Sequence, residues 1–157
     1  MKQNASITGE IRILLRPIML AASVLLSAAA TPHDHAEGPP PKGGRLLEKT
    51  EPHAELVIET DRRVTIHFYD HQMKPVEVTT QSVRLIAEVK PSKVILECEK
   101  RSNVLVSKGQ LPEGKPYTLV AQFRQHPDAK PTNYRLIMDM SRCGECRLAE
   151  YACTCRH

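Results

Sequence analysis

Apolar and polar side chains alternate along residues 46–140 with a period of two, which is the period of a β-strand. In RVTIHFY (63–69), Val64, Ile66 and Phe68 would share one face, while polar or amphipathic side chains occupy the other. One apolar face per strand is typical of antiparallel sheets, so we expect an all-β domain. Four more runs alternate in the same way: SVRLIAEV (82–89), VILECE (94–99), YTLVAQF (117–123) and YRLIMDM (134–140).

Turn-forming residues separate these runs about every ten residues, as in proteins built from short strands. About seven or eight strands in roughly 95 residues suit a two-sheet β-sandwich of immunoglobulin or fibronectin-III type. No long amphipathic helix interrupts the pattern. We therefore predict one β-sandwich domain over residues 46–140. Its turns are predicted at Thr60-Asp61, Asp70 to Pro75, Lys90-Pro91-Ser92, Ser107 to Gly109, Pro112 to Gly114 and Pro127-Asp128.

Residues 1–30 have the layout of a secretory signal peptide. Basic residues precede the apolar run IMLAASVLLSAAA (18–30), whose small-residue end fits the A-x-A rule for cleavage before Thr31. The run is shorter than the roughly 20 residues that a helix needs to span a bilayer. We predict cleavage and export to the periplasm, which is an oxidising compartment. The alternative is an uncleaved anchor, which would keep the protein at the membrane.

Residues 31–45, TPHDHAEGPPPKGGR, are rich in Pro and Gly and poor in apolar side chains. Such a segment cannot bury enough surface to offset the loss of backbone entropy, so we predict a flexible leader. His33, Asp34 and His35 offer three donors to a divalent ion. Mobile donors lose entropy when they close around a metal, and we interpret these histidines as incidental.

Composition excludes several functional classes. The full chain carries a net charge of +4, and removal of residues 1–30 leaves +2, which is too little to indicate nucleic acid or an anionic membrane as a partner. The chain has no Trp and two Phe, so it has no basic patch interleaved with aromatic side chains. It also lacks a nucleophile elbow, a phosphate-binding glycine loop, an H-E-x-x-H motif and a dinucleotide fingerprint, so we expect no enzymatic activity.

The last residues carry the candidate chemistry. Residues 141–157 form a cysteine-rich tail, in which CGECRLAEYACTCRH has the spacing C-x2-C-x6-C-x-C-x-H. A C-x2-C pair can grip one ion from a tight turn, which we expect Gly144 to ease. Four thiolates, or three thiolates and an imidazole, suit tetrahedral Zn2+, and sulfur ligands also suit Cu(I). The predicted metal ligands are Cys143, Cys146, Cys153, Cys155 and His157.

Two other interpretations of the tail stay open. An oxidising compartment favours disulfides, and Cys153 and Cys155 would then bridge back to Cys143 and Cys146. Alternatively, Cys143 and Cys146 could be a redox-active dithiol, although no βαβ pattern surrounds them. The arginines at 142, 147 and 156 should favour the thiolate form, which is the form that binds metal.

The fifth cysteine belongs to the predicted core. Cys98 is in register with Val94 and Leu96, and a buried thiol behaves as a small apolar side chain. Other potential ligands are left out of the site: the histidines as solvent-facing or satisfied groups, and the methionines because two of them fit the core stripe. These residues are His53, His67, His71, Met73, Met138 and Met140.

The stretch GPPPKGGRLLEKTEPHAELVI (38–58) resembles a segment of small exported proteins associated with bacterial heavy-metal efflux of the resistance-nodulation-division type. Periplasmic adaptor subunits of those pumps share this G-G-x-L…H-x-E-L pattern, except that Lys42 here replaces the His before the glycine pair. The resemblance implies a periplasmic metal-handling context and an efflux adaptor as a partner. The matching positions are Gly43, Gly44, Leu46, His53, Glu55 and Leu56.

Together these features predict a non-enzymatic periplasmic protein whose tail buffers Zn2+ or Cu(I) or hands the ion over. The alternative is an exported structural or interaction module, a β-sandwich whose tail is stapled by disulfides. A third hypothesis is an oxidoreductase that uses Cys143 and Cys146.

Overall fold

The computed structural model describes residues 40–155, and the predicted signal peptide, most of the leader, Arg156 and His157 lie outside this range. Eight antiparallel strands and one short 3-10 helix, Glu150–Ala152, make up the described chain. No helix in this part of the chain is long and apolar enough to cross a membrane. The strands are β1 (Arg45–Leu47), β2 (His53–Ile58), β3 (Val64–Tyr69), β4 (Ser82–Glu88), β5 (Val94–Arg101), β6 (Val104–Ser107), β7 (Tyr117–Arg124) and β8 (Thr132–Met138).

All eight strands are hydrogen-bonded in one continuous order, β1-β2-β3-β6-β5-β4-β7-β8. Strand β5 links the two halves, because residues 94–97 pair with β4 whereas residues 98–101 pair with β6. The prediction of an all-β antiparallel fold is confirmed. The finer prediction of two separate sheets of immunoglobulin type is not, since the strands form a single, nearly closed sheet.

The predicted alternation describes most strands well. In β4, Val83, Leu85 and Ala87 are buried against the core, and the side chains between them are more exposed. The rings of Phe68 and Phe123, whose centroids lie 5.9 Å apart, join β3 to β7 across that core. The apolar stripe of β8 ends at Met138, so the expectation that Met140 extends it is wrong: that side chain is 57% exposed.

Strands β2 and β3 depart from the one-sided pattern because both of their faces are covered. Glu55 is completely buried in the middle of β2. Its carboxyl group accepts hydrogen bonds from the backbone N–H groups of Lys42 (2.9 Å) and Gly44 (2.8 Å) and from the Tyr69 hydroxyl (2.9 Å). Burial, followed by this hydrogen bond to Glu55, raises the pKa of Tyr69 above its usual range. A carboxyl group can be buried here because its oxygens are matched by donors.

The turn over Glu55 requires its glycine pair. Gly43 has a φ of +73°, a conformation that favours glycine. A Cβ on Gly44 would lie 2.3 Å from the carbonyl oxygen of Leu56. Residues 42–44 were predicted to belong to the flexible leader, yet their backbone is hydrogen-bonded to the domain. The glycine pair therefore has a structural role that its position in a Pro/Gly-rich segment did not indicate.

The chain end packs on the domain. Tyr151 and Ala152, in the 3-10 helix, belong to the main hydrophobic core. The Tyr151 hydroxyl accepts a hydrogen bond from the backbone N–H of Ile58 at 3.1 Å, at the end of β2. The Tyr151 backbone N–H donates to the carbonyl of Asp139, just beyond β8. The cysteines are thus carried by a segment that is tied to both β2 and β8.

Candidate metal centre

The tail begins with a turn that follows β8. The Asp139 carboxylate accepts hydrogen bonds from the backbone N–H of Ser141 at 2.8 Å and from its hydroxyl at 2.7 Å. These bonds hold the pKa of Asp139 below its usual value. Side chains of Asp commonly reverse the chain in this way, by bonding to the backbone two residues on. The turn directs the following residues back over the domain.

The first two cysteines lie on a small hairpin. Arg142 and Ala149 form an antiparallel bridge, and the Cys143 backbone N–H donates to the carbonyl of Leu148 at 2.8 Å. The Arg147 backbone N–H donates to the Cys143 carbonyl at 3.1 Å. The left-handed residue of this turn is Arg147, with a φ of +63°. Gly144 has no positive φ, so the expectation that a glycine at that position eases the turn is wrong.

The other two cysteines follow the 3-10 helix, which returns the chain to the hairpin. The Cys153 carbonyl accepts a hydrogen bond from Nη1 of Arg45, in β1, at 2.8 Å. The Cys153 sulfur accepts one from the backbone N–H of Cys155 at 3.3 Å. Arg45 therefore ties the second pair of cysteines to the first strand.

The four tail cysteines converge on one point. All four Sγ atoms lie within 4.8 Å of one another, and we call Cys143, Cys146, Cys153 and Cys155 the cysteine cluster. Two of the Sγ distances are 3.4 Å, from Cys153 to Cys143, and 3.8 Å, from Cys146 to Cys153. Four sulfurs bound tetrahedrally at 2.3 Å to Zn2+ would be ~3.8 Å apart. The cluster thus has nearly the dimensions of an S4 metal site.

The tail cysteines are not paired as disulfides in the structure. All five cysteines of the chain are thiols in the structure. Two disulfides would bring the sulfurs together in pairs, whereas here each of the four lies close to the other three. A tetrahedral metal ion requires four thiols that are all close to one another, whereas two disulfides require only that the sulfurs be close in pairs.

The cluster is buried at one side and open at the other. Cys143 is only 1% exposed, Cys153 and Cys155 are half-buried, and Cys146 is exposed. The buried side limits access by water, and the exposed side gives an ion or a competing ligand a route to the sulfurs. An arrangement of this kind can hold a metal and still exchange it.

Backbone amides prepare Cys143 for metal binding. The N–H groups of Cys146 and Glu145 favour its thiolate and lower the pKa of Cys143 to about 6. Hydrogen bonds from the neighbouring thiols act in the same direction. We expected the flanking arginines to supply this effect, but its main cause is the turn of the hairpin, which points two N–H groups at one sulfur.

Cys153 and Cys155 hold their protons more tightly than an ordinary thiol. Hydrogen bonds with the sulfurs of Cys153 and Cys146 raise the pKa of Cys155 above its usual range. For Cys153, the Cys155 amide favours the thiolate, but burial and the hydrogen bond with Cys143 outweigh it and raise the pKa. Near neutral pH the Cys143 thiolate therefore accepts hydrogen bonds from neighbouring thiols, and a metal ion would displace those protons.

Metal binding by the cluster should depend steeply on pH. Each ion displaces at least the protons of Cys153 and Cys155, so apparent affinity should fall by about 100-fold per pH unit as pH decreases below neutral. A chelator competition series between pH 6 and 8 measures this slope. A flat profile would show that the thiols do not lose protons to the ion.

The other residues discussed from the sequence are His157, predicted as a metal ligand, and Cys98, predicted as a core thiol. His157 lies outside the described residues. Cys98 is partly buried against the core, and burial raises its pKa to about 12, which fits the predicted structural thiol. The amides of Glu145 and Cys146 and the guanidinium of Arg45 were not anticipated. The amides follow from the C-x2-C turn itself, but no local pattern links Arg45 to a residue 108 positions away.

No protein-family model matches the chain, and no curated protein or solved structure matches it either. The function must therefore be inferred from the chemistry of the site rather than from the fold.

Proposed function

We propose that this chain is a non-enzymatic metal-binding protein that buffers one soft or borderline ion, Zn2+ or Cu(I), and hands it over to another protein. The observation that carries the proposal is the convergence of four thiols within 4.8 Å. Zn2+ and Cu(I) are the ions that favour such an all-sulfur site. The four cysteines of the cluster would be the ligands, and His157 would be a fifth donor that could replace one of them during transfer.

The shape of the cluster supports exchange rather than permanent burial. Cys143 is buried and held by the hairpin, so it would anchor the ion, whereas Cys146 is exposed and could be displaced first by an incoming ligand. Stepwise replacement of sulfur ligands lets an ion move without ever being released to water. The tail is packed into the core through Tyr151, so transfer would leave the fold intact.

The cellular setting is a further part of the proposal. The signal-peptide layout of residues 1–30 supports a periplasmic location, where the protein would protect envelope components from excess metal. The resemblance of residues 38–58 to segments of efflux adaptors supports an accessory role in heavy-metal efflux. The receiving partner would then be a periplasmic adaptor subunit.

The second candidate function is an exported interaction module with a disulfide-stapled tail. Its support is the oxidising compartment together with the 3.4 Å separation of the Cys153 and Cys143 sulfurs, which is short enough for oxidation after a small movement. This candidate predicts two disulfides among the four tail cysteines and no bound metal.

Native mass spectrometry of protein released from the cell envelope without reductant separates the two candidates. The metal-binding function predicts at least one ion per chain, reduced tail cysteines, and loss of the cluster ion to a chelator. The stapled module predicts no ion and a mass about four hydrogens lower, one pair for each disulfide. Finding the stapled form in metal-replete cells would refute the proposed function.

A further inference from the structure

A cavity of about 260 Å³ lies away from the cysteine cluster, where the start of β2 meets the ends of β3 and β7. We call it the histidine cavity. Besides Tyr69 and Asp70, four of its lining residues carry potential metal donors: Glu51, His53, His71 and Gln125. The sheet register explains the meeting, because His53 pairs with Tyr69 and the chain then turns so that His71 comes to lie beside it. None of the four belongs to the cysteine cluster.

Two buried polar atoms in this cavity have no hydrogen-bond partner. Among the described residues, three buried side-chain nitrogen or oxygen atoms are unpartnered, and two of them are Nδ1 of His53 and Oε1 of Gln125. Leaving such a group unsatisfied is unfavourable, so buried polar atoms usually bind a protein group, a water or an ion. Both residues line the same cavity, so a polar ligand bound there would give these two atoms a partner.

The two imidazoles have a separation that suits a shared ion. The ring centroids of His53 and His71 are 5.4 Å apart, and the rings are almost perpendicular, at 83°. Two imidazoles bound tetrahedrally through nitrogens at 2.0–2.1 Å would have centres about 5 Å apart. The ring separation is therefore close to the value for a shared ion, but among the described residues only the cysteine cluster already has its donor atoms gathered, so the side chains of the histidine cavity must move to bind one.

Oxygen donors near the two imidazoles would complete the coordination of an ion. Oε1 of Glu51 lies 3.4 Å from Nε2 of His71, so this carboxylate already faces the histidine. One oxygen of the Asp70 carboxylate, Oδ1, is engaged elsewhere, because it accepts hydrogen bonds from the backbone N–H groups of Gln72 and Lys74, each at 2.9 Å. Asp70 thus fixes the turn that carries His71, while Glu51 and Gln125 remain as oxygen donors.

We propose that the histidine cavity is a second metal site, in which His53, His71 and Glu51 bind a borderline divalent ion such as Zn2+ or Ni2+ and Gln125 supplies a further oxygen. Two imidazoles, a carboxylate and an amide oxygen form a donor set that such ions accept. The side chains of His71 and Glu51 are 64% and 76% exposed, so an ion can reach the site from solvent on their side. This site is independent of the function assigned to the cysteine cluster.

Zn2+ titration of the full chain followed by native mass spectrometry tests the proposal. We expect two ions per chain, and we expect the second to be lost or weakened by about 100-fold or more in both His53→Ala and His71→Ala. His71 is exposed, so its replacement should leave the fold unchanged as judged by circular dichroism. The matched controls are His126→Ala, an exposed histidine that does not line the cavity, and His33→Ala/His35→Ala in the leader; both should keep two ions.

Nuclear magnetic resonance with Ni2+ locates the ion directly. The ring signals of His53 and His71 should broaden together at one equivalent beyond saturation of the cysteine cluster with Zn2+, before those of His67 and His126. The proposal fails if the second ion survives both cavity variants, if it disappears in the leader variant instead, or if the wild-type chain binds one ion. Loss of the cluster ion alone, as in Cys143→Ser, would leave this second site occupied.

Discussion

Replacing Cys143 with Ser is expected to weaken metal binding by about 100-fold or more. Structural zinc sites with four ligands have apparent binding free energies of roughly 10–16 kcal/mol, so one ligand accounts for about 3 kcal/mol. Cys143 is the buried thiol whose pKa is lowered to about 6, so it should contribute at least its share. Chelator competition measures the affinity of the wild type and the variant.

The same change should abolish stabilisation by metal. At a free ion concentration 1,000 times the Kd, binding stabilises the folded chain by about 4 kcal/mol, which raises Tm by on the order of 10 °C. Cys143→Ser should lose most of this increase, although the serine hydroxyl can still accept the amides of residues 145 and 146. Cys98→Ala is the matched control, because it removes a partly buried thiol outside the cluster and should leave affinity unchanged. Equal affinities of Cys143→Ser and wild type would exclude Cys143 as a ligand.

Replacing Glu55 with Ala should be the most damaging change outside the metal centre, with a loss of about 4–5 kcal/mol in the free energy of unfolding. The carboxyl group accepts bonds from Lys42, Gly44 and Tyr69, and its removal leaves three donors without an acceptor in a buried place. Many domains have only 5–15 kcal/mol in total, so this variant should approach global unfolding. Denaturant unfolding of the metal-free protein measures the effect.

Two companion variants keep this prediction testable if Glu55→Ala does not fold. Tyr69→Phe removes only one of the three donors and should cost about 1–3 kcal/mol. Glu59→Ala, at an exposed carboxylate just after the same strand, should change stability by less than about 0.5 kcal/mol. If Tyr69→Phe is as stable as Glu59→Ala, the hydrogen bond from Tyr69 to Glu55 contributes nothing measurable to stability.

The strand predictions succeeded where one periodic face met the core. The run YTLVAQF correctly predicted strand β7, because Leu119, Ala121 and Phe123 alternate along it and are all buried in the core. The linkage into a single sheet was not predictable, because it depends on β5 changing partners between residues 97 and 98. Periodicity reports which side chains face inward, but it carries no information about which strand lies alongside.

The cysteine cluster was predictable for a different reason. Four cysteines within thirteen residues cannot be far apart, so their spacing alone indicated a cluster. The contacts that support the cluster come from distant parts of the chain: Arg45 from β1, and the β2 backbone that bonds Tyr151. The meeting of His53 and His71 was missed because it arises from strand pairing, whereas the sequence analysis treated each histidine as solvent-facing or satisfied.

X-ray absorption spectroscopy of the chain loaded with one equivalent of Zn2+ tests the central claim most directly, because it counts the sulfur and nitrogen atoms bound to the ion. The convergence of Cys143, Cys146, Cys153 and Cys155 predicts a shell of four sulfurs at about 2.3 Å. A shell made mainly of nitrogen and oxygen at about 2.0–2.1 Å would contradict it, because the first ion would then be bound away from the cysteine cluster.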